Sequence, residues 1–306
     1  MPKKCAVVLV ALLLAVTASR AQTRPIGVPQ VSVQQPVSPA RASSISVQQD
    51  VSYGTVTGHT LLLDVYDPGD NLFDRAAILL LHGGGWSAND KSGMRDVGMF
   101  FARHGFVAFS VDYRLTNGKD NLWPAQLDDV QRAVRWIRAH ASKHRIDPGH
   151  IGAYGFSAGG QLAALLGMED TRDNSDPELA KYSSRVKAVV DVSGPSDFTT
   201  GSDRDDAFLT AFFGGDFAHH ADVWKDASPV FHVSKKCAPF LIVHGSRDED
   251  VPIAQAQELA DKLKQAKVPV RLVTLDDVHN IQTAQASERV AFESLAFFTE
   301  YLRPER

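Results

Sequence analysis

Cysteine is almost absent: the 306 residues hold two, and Cys5 falls within the first 21 residues, which leaves Cys237 alone in the rest of the chain. A lone thiol excludes an internal disulfide, so the folded body must draw its stability from a sizeable core. Cys237, just before Ala238-Pro239 and an apolar run, reads as a partly buried structural thiol. Cysteine–histidine spacing that would hold a metal is missing too. So is any excess of positive charge: 32 Lys+Arg against 36 Asp+Glu leave a formal net charge of −4 with no basic stripe, which argues against nucleic acid as a partner. No Gly-Lys-Ser/Thr follows the glycine run at 83–85, so a phosphate loop is disfavoured. The run from Ala6 to Val16 is too short to span a bilayer comfortably. Internal repeats are lacking as well. The 44% hydrophobic and 22% charged content is that of an ordinary globular chain.

The N-terminus carries an export pattern. Lys3-Lys4 form a positive start, Ala6 to Val16 an apolar stretch, and Ser19-Arg20-Ala21 places small residues for cleavage after Ala21. Residues 1–21 are therefore expected to be a signal peptide, with a periplasmic or secreted product and no stable membrane insertion once it is removed. Losing Lys3, Lys4 and Arg20 leaves 29 Lys+Arg against 36 Asp+Glu, a charge near −7. Residues 22–47, rich in Gln, Ser, Val and Pro, have the composition of a flexible linker. Residues 48–306 are expected to form one folded domain.

From Val51 the pattern turns structural. Val51–Val56 and Leu61–Tyr66 read as a hairpin turning at Gly58. The continuous apolar run Ala76–Leu81 suits a strand covered on both faces. A helix over Arg95–His104, closed by Gly105, leads to a strand at Phe106–Val111. A second helix begins at Pro124, with Leu127, Val130, Val134, Ile137 and Ala141 on one face and Arg132, Arg135 and Arg138 off it. Further strands are expected at His150–Tyr154, Val186–Val190, Phe240–Val243 and Val270–Leu275, and helices at Gln161–Met168, Ile253–Ala266 and Ala284–Tyr301. Strands alternating with helices after an antiparallel start predict an α/β fold with a mostly parallel, doubly wound sheet. Between Asp197 and Val233 the period is lost. There Phe208, Phe212, Phe213, Phe217 and Trp224 read equally as a lid or pocket wall (residues 198–232) and as structural filler.

Gly155-Phe156-Ser157-Ala158-Gly159-Gly160 lies between a strand and a helix, the setting of a nucleophile elbow. A serine hydroxyl needs a base to take its proton, and the base needs a carboxylate to orient it. Both are expected from loops beyond the ends of later strands. His279, the only histidine after His244, follows the strand ending at Leu275 and is the candidate base. Asp248, four residues past His244, is the first choice for the carboxylate; Asp250 is its rival, and Glu249 a weaker one. Asp276 and Asp277 would have to fold back on their own loop to reach His279. An oxyanion needs backbone N–H donors. Ala158, just after the serine, and the His82-Gly83-Gly84-Gly85-Trp86 loop after an earlier strand are placed to supply them.

His82–Trp86, Asp112-Tyr113-Arg114-Leu115, Gly155–Gly160 and His244–Asp248 together resemble the α/β-hydrolase superfamily. More narrowly, they are similar to hormone-sensitive-lipase-like and bacterial feruloyl-esterase-like carboxylesterases. The likeness runs from about Val51 to the C-terminus. It implies an α/β-hydrolase fold with Ser157, Asp248 and His279 as catalytic triad, Gly84, Gly85 and Ala158 as oxyanion hole, and His82 as support for that loop. It also implies that Asp112 and Arg114 are structural. It departs at Val278-His279-Asn280, where such enzymes usually carry a glycine. The expected chemistry is hydrolysis of short-chain or aryl carboxylic esters through an acyl-serine, with no cofactor or metal. The ester would be a small molecule or a side chain on a plant polysaccharide. The rivals are a prolyl-oligopeptidase-like peptidase, suggested by Asp248 to Pro252, a kynurenine-formamidase-like amide hydrolase, and a hydrolase-fold binding module.

Overall fold

Period-2 and apolar runs become the strands of a single eight-stranded sheet, ordered β1-β2-β4-β3-β5-β6-β7-β8. In chain order the elements are β1 (Ser46–Val56), β2 (His59–Asp67), β3 (Arg75–Leu81), α1 (Arg95–Arg103), β4 (Val107–Val111), α2 (Ala125–Ala139), β5 (Ile146–Phe156) and α3 (Ala158–Met168). Then follow β6 (Ala188–Val192), α4 (Ala207–Phe212), α5 (Phe217–Ala227), β7 (Phe240–Gly245), α6 (Ile253–Gln265), β8 (Val270–Leu275) and α7 (Ala284–Leu302). The computed structural model describes residues 45–69, 74–200 and 206–303. The expected signal peptide, and the expected linker as far as residue 44, lie outside the described residues. β1 already begins at Ser46, so the last two residues assigned to the linker belong to the sheet.

β1 and β2 pair antiparallel, as do β2 and β4, and every later pair is parallel. Alternate residues of a strand face opposite sides, so β3 feeds two cores. Ala77, Leu79 and Leu81 pack with α2, α3 and α6 on one face, while Ile78 and Leu80 pack with α1 and α7 on the other. All seven residues of β3 are buried, as a doubly covered strand requires.

Two expectations need correction. Arg132 and Arg135, placed on the solvent side of α2, are buried. The segment between α3 and β6 packs over that side, where Asp176 pairs with Arg132 and Asn174 Oδ1 accepts from Arg135 Nη1 at 2.8 Å. The 3.6-residue period marked one buried face, and it could not see a chain segment returning over the other. The stretch after Asp197 is also not without period. It holds α4 and α5, started by Asp206 and Asp216, whose carboxylates accept from the N–H groups of Leu209 and His219 at 2.7 and 2.9 Å. Helices of six and eleven residues were too short to stand out from their scattered aromatic residues.

Candidate active site

β5 ends and α3 begins across one strained residue. Ser157 sits at φ 53°, ψ −120°, a left-handed backbone that costs a side-chain-bearing residue of order 1–3 kcal/mol. The tightness of the turn shows in its neighbours: a Cβ on Gly155 would strike the Gly159 carbonyl, and one on Gly159 the Leu81 carbonyl. Ser157 N–H donates to Val192 O at 2.8 Å, which pins the turn to β6. The hydroxyl therefore projects at the carboxyl edge of the sheet, over the positive end of α3.

The loops after β7 and β8 bring up the partners. His279 Nε2 lies 2.8 Å from Ser157 Oγ, and His279 Nδ1 lies 2.8 Å from Asp248 Oδ2. A carboxylate only accepts, so Nδ1 carries the proton and Nε2 is left to accept from the serine hydroxyl. The other Asp248 oxygen, Oδ1, accepts from the N–H groups of Asp250 and Val251 at 3.0 and 2.8 Å. Burial pushes the Asp248 carboxyl up, but hydrogen bonds from His244, Val251 and His279 outweigh it and hold it below the usual carboxylate range. The rivals lie elsewhere. Asp250 and Glu249 are exposed, with Asp250 at the rim of the cavity. Asp276 pairs with Arg247 in solvent. Asp277 ties its own loop together, accepting from Val278 and Gln282 through Oδ1 and from Thr283 through Oδ2. Those bonds hold its carboxyl well below the usual range.

The glycine loop faces the serine from β3. Gly84 adopts φ 118°, and a Cβ there would strike the Ala88 carbonyl, so only glycine fits. Gly84, Gly85 and Ala158 line a cavity of about 440 Å³ around Ser157 and His279. His82 braces this loop. Its Nδ1 donates to Gly83 O at 2.7 Å, and its ring stacks on Tyr113 at 4.3 Å, while the Tyr113 hydroxyl donates to His82 O at 2.8 Å. Burial lowers the His82 pKa below the ordinary imidazole value. Asp112 and Arg114 sit in ion pairs, with Lys91 and Asp129 respectively.

Three side chains of the site carried no role in the sequence reading. Tyr113 braces His82. Gln161 takes Trp86 Nε1–H on its Oε1 at 3.1 Å and donates to Ala227 O at 2.7 Å, so it joins the glycine loop to the end of α5. His244 contacts Asp248 at 3.1 Å. Only Gln161 left a trace, as the one polar residue in the otherwise apolar run of α3. Across Phe156 and Asn280 lies a second cavity of about 380 Å³, walled by apolar residues such as Met94, Phe100 and Ile281. Among the described residues no group of three or more His, Cys, Asp or Glu is arranged to hold a metal.

A serine on a strand–turn–helix elbow of a mostly parallel sheet, with carboxylate and imidazole arriving from later strands in that order, defines an α/β-hydrolase. The chain belongs to the BD-FAE family, whose model matches residues 63–263. It is 31% identical over 256 residues to the probable carboxylic ester hydrolase LipM of Mycobacterium tuberculosis, an alignment covering 81% of this chain and 59% of LipM. Among solved structures it resembles a truncated carbohydrate esterase from gut microbiota (28% identity, TM-score 0.73, 86% of this chain and 98% of that one). It also resembles a butyrate-bound thermophilic esterase, Est2, of Thermogutta terrifontis (25% identity, TM-score 0.73, 87% and 97%).

Proposed function

We propose that this protein is a serine carboxylesterase with Ser157 as nucleophile, His279 as general base and acid, and Asp248 as the carboxylate that orients it. The observation that carries the reading is the unbroken relay of 2.8 Å contacts from Ser157 Oγ through His279 to Asp248, beside the Gly84, Gly85 and Ala158 backbone. His279 takes the Ser157 proton as Oγ attacks the ester carbonyl carbon. The oxyanion rests on the three amides, beside the helix N-terminus. His279 then passes its proton to the alkoxide oxygen, the C–O bond breaks, and the alcohol leaves an acyl-serine. A water deprotonated by His279 attacks that acyl group, and the carboxylic acid departs as the serine is restored.

The substrate reading is a short-chain or aryl ester, with the side-chain esters of plant polysaccharides as the natural class. The cavity of about 440 Å³ around Ser157 and His279 has room for a small ester. The likeness to a carbohydrate esterase and to a butyrate-bound esterase supports the same class. Export through a signal peptide at residues 1–21, with a linker up to the start of β1 at Ser46 and the catalytic domain from there, completes the proposal, and sequencing the exported form should find Gln22 first.

Purified residues 22–306 should release p-nitrophenol from short-chain p-nitrophenyl esters. Ser157→Ala should abolish that release while the circular dichroism spectrum stays unchanged. Undiminished turnover in that variant would refute the mechanism, and a folded wild type inert toward every ester would mark the protein as a binding module. Acetylated xylan and methyl ferulate test the polysaccharide reading.

A further inference from the structure

Asp248 receives two imidazoles, and the relay to Ser157 accounts for one. His244, wholly buried at the end of β7, places Nε2 3.1 Å from Asp248 Oδ2, the oxygen that also takes His279 Nδ1 at 2.8 Å. The same Nε2 lies 2.8 Å from Val251 O. A carbonyl and a carboxylate both accept, so Nε2 carries a proton and shares it between them. With Asp250 N–H and Val251 N–H on Oδ1 and His279 Nδ1 and His244 Nε2 within 3.1 Å of Oδ2, the Asp248 carboxylate has four nitrogens about it, two at each oxygen.

We propose that His244 is a positioning residue for the triad: its N–H fixes Asp248 Oδ2 toward His279 and takes part of the negative charge that Asp248 would otherwise lend to the base. This inference rests on the esterase reading above. The charged and titratable groups acting on His244 are Asp248 from the following loop, Asp191 from β6, and His279 on the far side of the Asp248 carboxylate. Asp191 is buried, pairs in register with Ile242 two residues before His244, and is pushed up by that burial. Burial opposes a charge on the His244 ring as well. Its acceptors Asp248 and Val251 outweigh that, and its pKa lies above the ordinary imidazole value. His244 therefore directs its Nε2 at the back of the carboxylate, while its buried Nδ1 has no hydrogen-bond partner among the described residues, in a dry site where such interactions are strong.

Removing the N–H has two opposed effects that kinetics separates. The carboxylate loses one of its guides, so kcat falls. Its charge acts undivided on the base, so the base holds its proton to a higher pH. In His244→Phe, kcat per titrated active site should fall by about tenfold, the scale of one hydrogen bond to a charged group, with KM within about twofold. The acid limb of kcat/KM should move upward by about half a pH unit or more. His244→Gln, which offers an N–H from a similar position, should restore most of both. A limb and a kcat that stay at wild-type values in correctly folded His244→Phe overturn the proposal.

Should the variants fold poorly, the wild-type enzyme labelled with ¹⁵N-histidine supplies a second measurement. Phosphonylation of Ser157 by a p-nitrophenyl phosphonate changes the charge on His279, and the His244 Nε2 resonance should shift in response. An unmoved resonance also refutes the proposal. Ser157→Ala run alongside separates the two claims: activity surviving there takes down the esterase reading and this inference with it, whereas a dead Ser157→Ala with an indifferent His244 refutes the inference alone.

Discussion

Asp248 and Asp250 stand two residues apart on one loop, and the turn of that loop decides between them. Oδ1 of Asp248 is claimed by the amides of Asp250 and Val251, which rotates Oδ2 toward His279 and leaves the Asp250 side chain in solvent. Asp248→Asn should therefore lower kcat on p-nitrophenyl acetate by several orders of magnitude, about 10⁴-fold where such a change strands the imidazole in the wrong tautomer. Asp250→Asn should stay within about threefold, and comparable losses in the two variants would reassign the carboxylate. His279→Gln should be as inactive as Ser157→Ala, because members of a triad fail together. Sequence order alone placed Ser157 and His279, since one serine stands on the elbow and one histidine follows β7. It put Asp248 first, four residues past the strand end, and left Asp250 as a rival, because that choice depends on which backbone amides the loop points inward.

At the scale of elements, the glycine loop is held by the region whose period the sequence hid. Trp86 stacks on Phe212 of α4 at 5.0 Å, and Gln161 of α3 ties its indole to the last turn of α5. Phe208 and Leu209 of α4 also line the reaction cavity, while Phe212, Phe213 and Trp224 are buried in the core, so the aromatic excursion is partly a wall of the site and partly structural packing. Gln161→Leu keeps the volume but leaves Trp86 Nε1–H and Ala227 O without these partners. The expected result is a kcat lowered by about tenfold with little change in KM, since the loss falls on the amides that meet the oxyanion. A rise in KM alone would show that the tie shapes substrate binding instead. Asp216, exposed at the start of α5, offers a control: Asp216→Ala should lower the urea midpoint slightly through the lost cap and leave kcat untouched.

For the molecule as a whole, buried histidines make stability depend on pH. His144 packs edge-on against Phe109 at 5.3 Å, its Nε2 is buried without a hydrogen-bond partner among the described residues, and burial lowers its pKa to about 4. A histidine whose pKa is depressed by folding supports the native state fully above its unfolded pKa of about 6.5 and withdraws that support as the pH falls toward its folded value. Between pH 6.5 and 4 the unfolded chain binds a proton that the native state refuses. His144→Phe should remove that part of the slope, so its urea-melt stability should lose on the order of 1–2 kcal/mol less than wild type between pH 7 and pH 5. Identical slopes would exclude His144 as a source of acid sensitivity.

Much of this protein is legible in one dimension. Uninterrupted apolar strands, helices between them, an antiparallel start and a serine flanked by glycines are local patterns, and local sterics and burial periodicity suffice to specify them. The order of nucleophile, carboxylate and base along the chain is equally local, because each follows the end of a strand. The tertiary structure alone decided what depends on segments distant in sequence meeting in space. It buried Arg132 and Arg135 beneath a returning segment, set Tyr113 under His82, joined Trp86 through Gln161 to α5, and placed His244 behind Asp248. A buried hydrogen bond needs its donor and acceptor within about 3 Å along one line, and only the closed fold brings such pairs together.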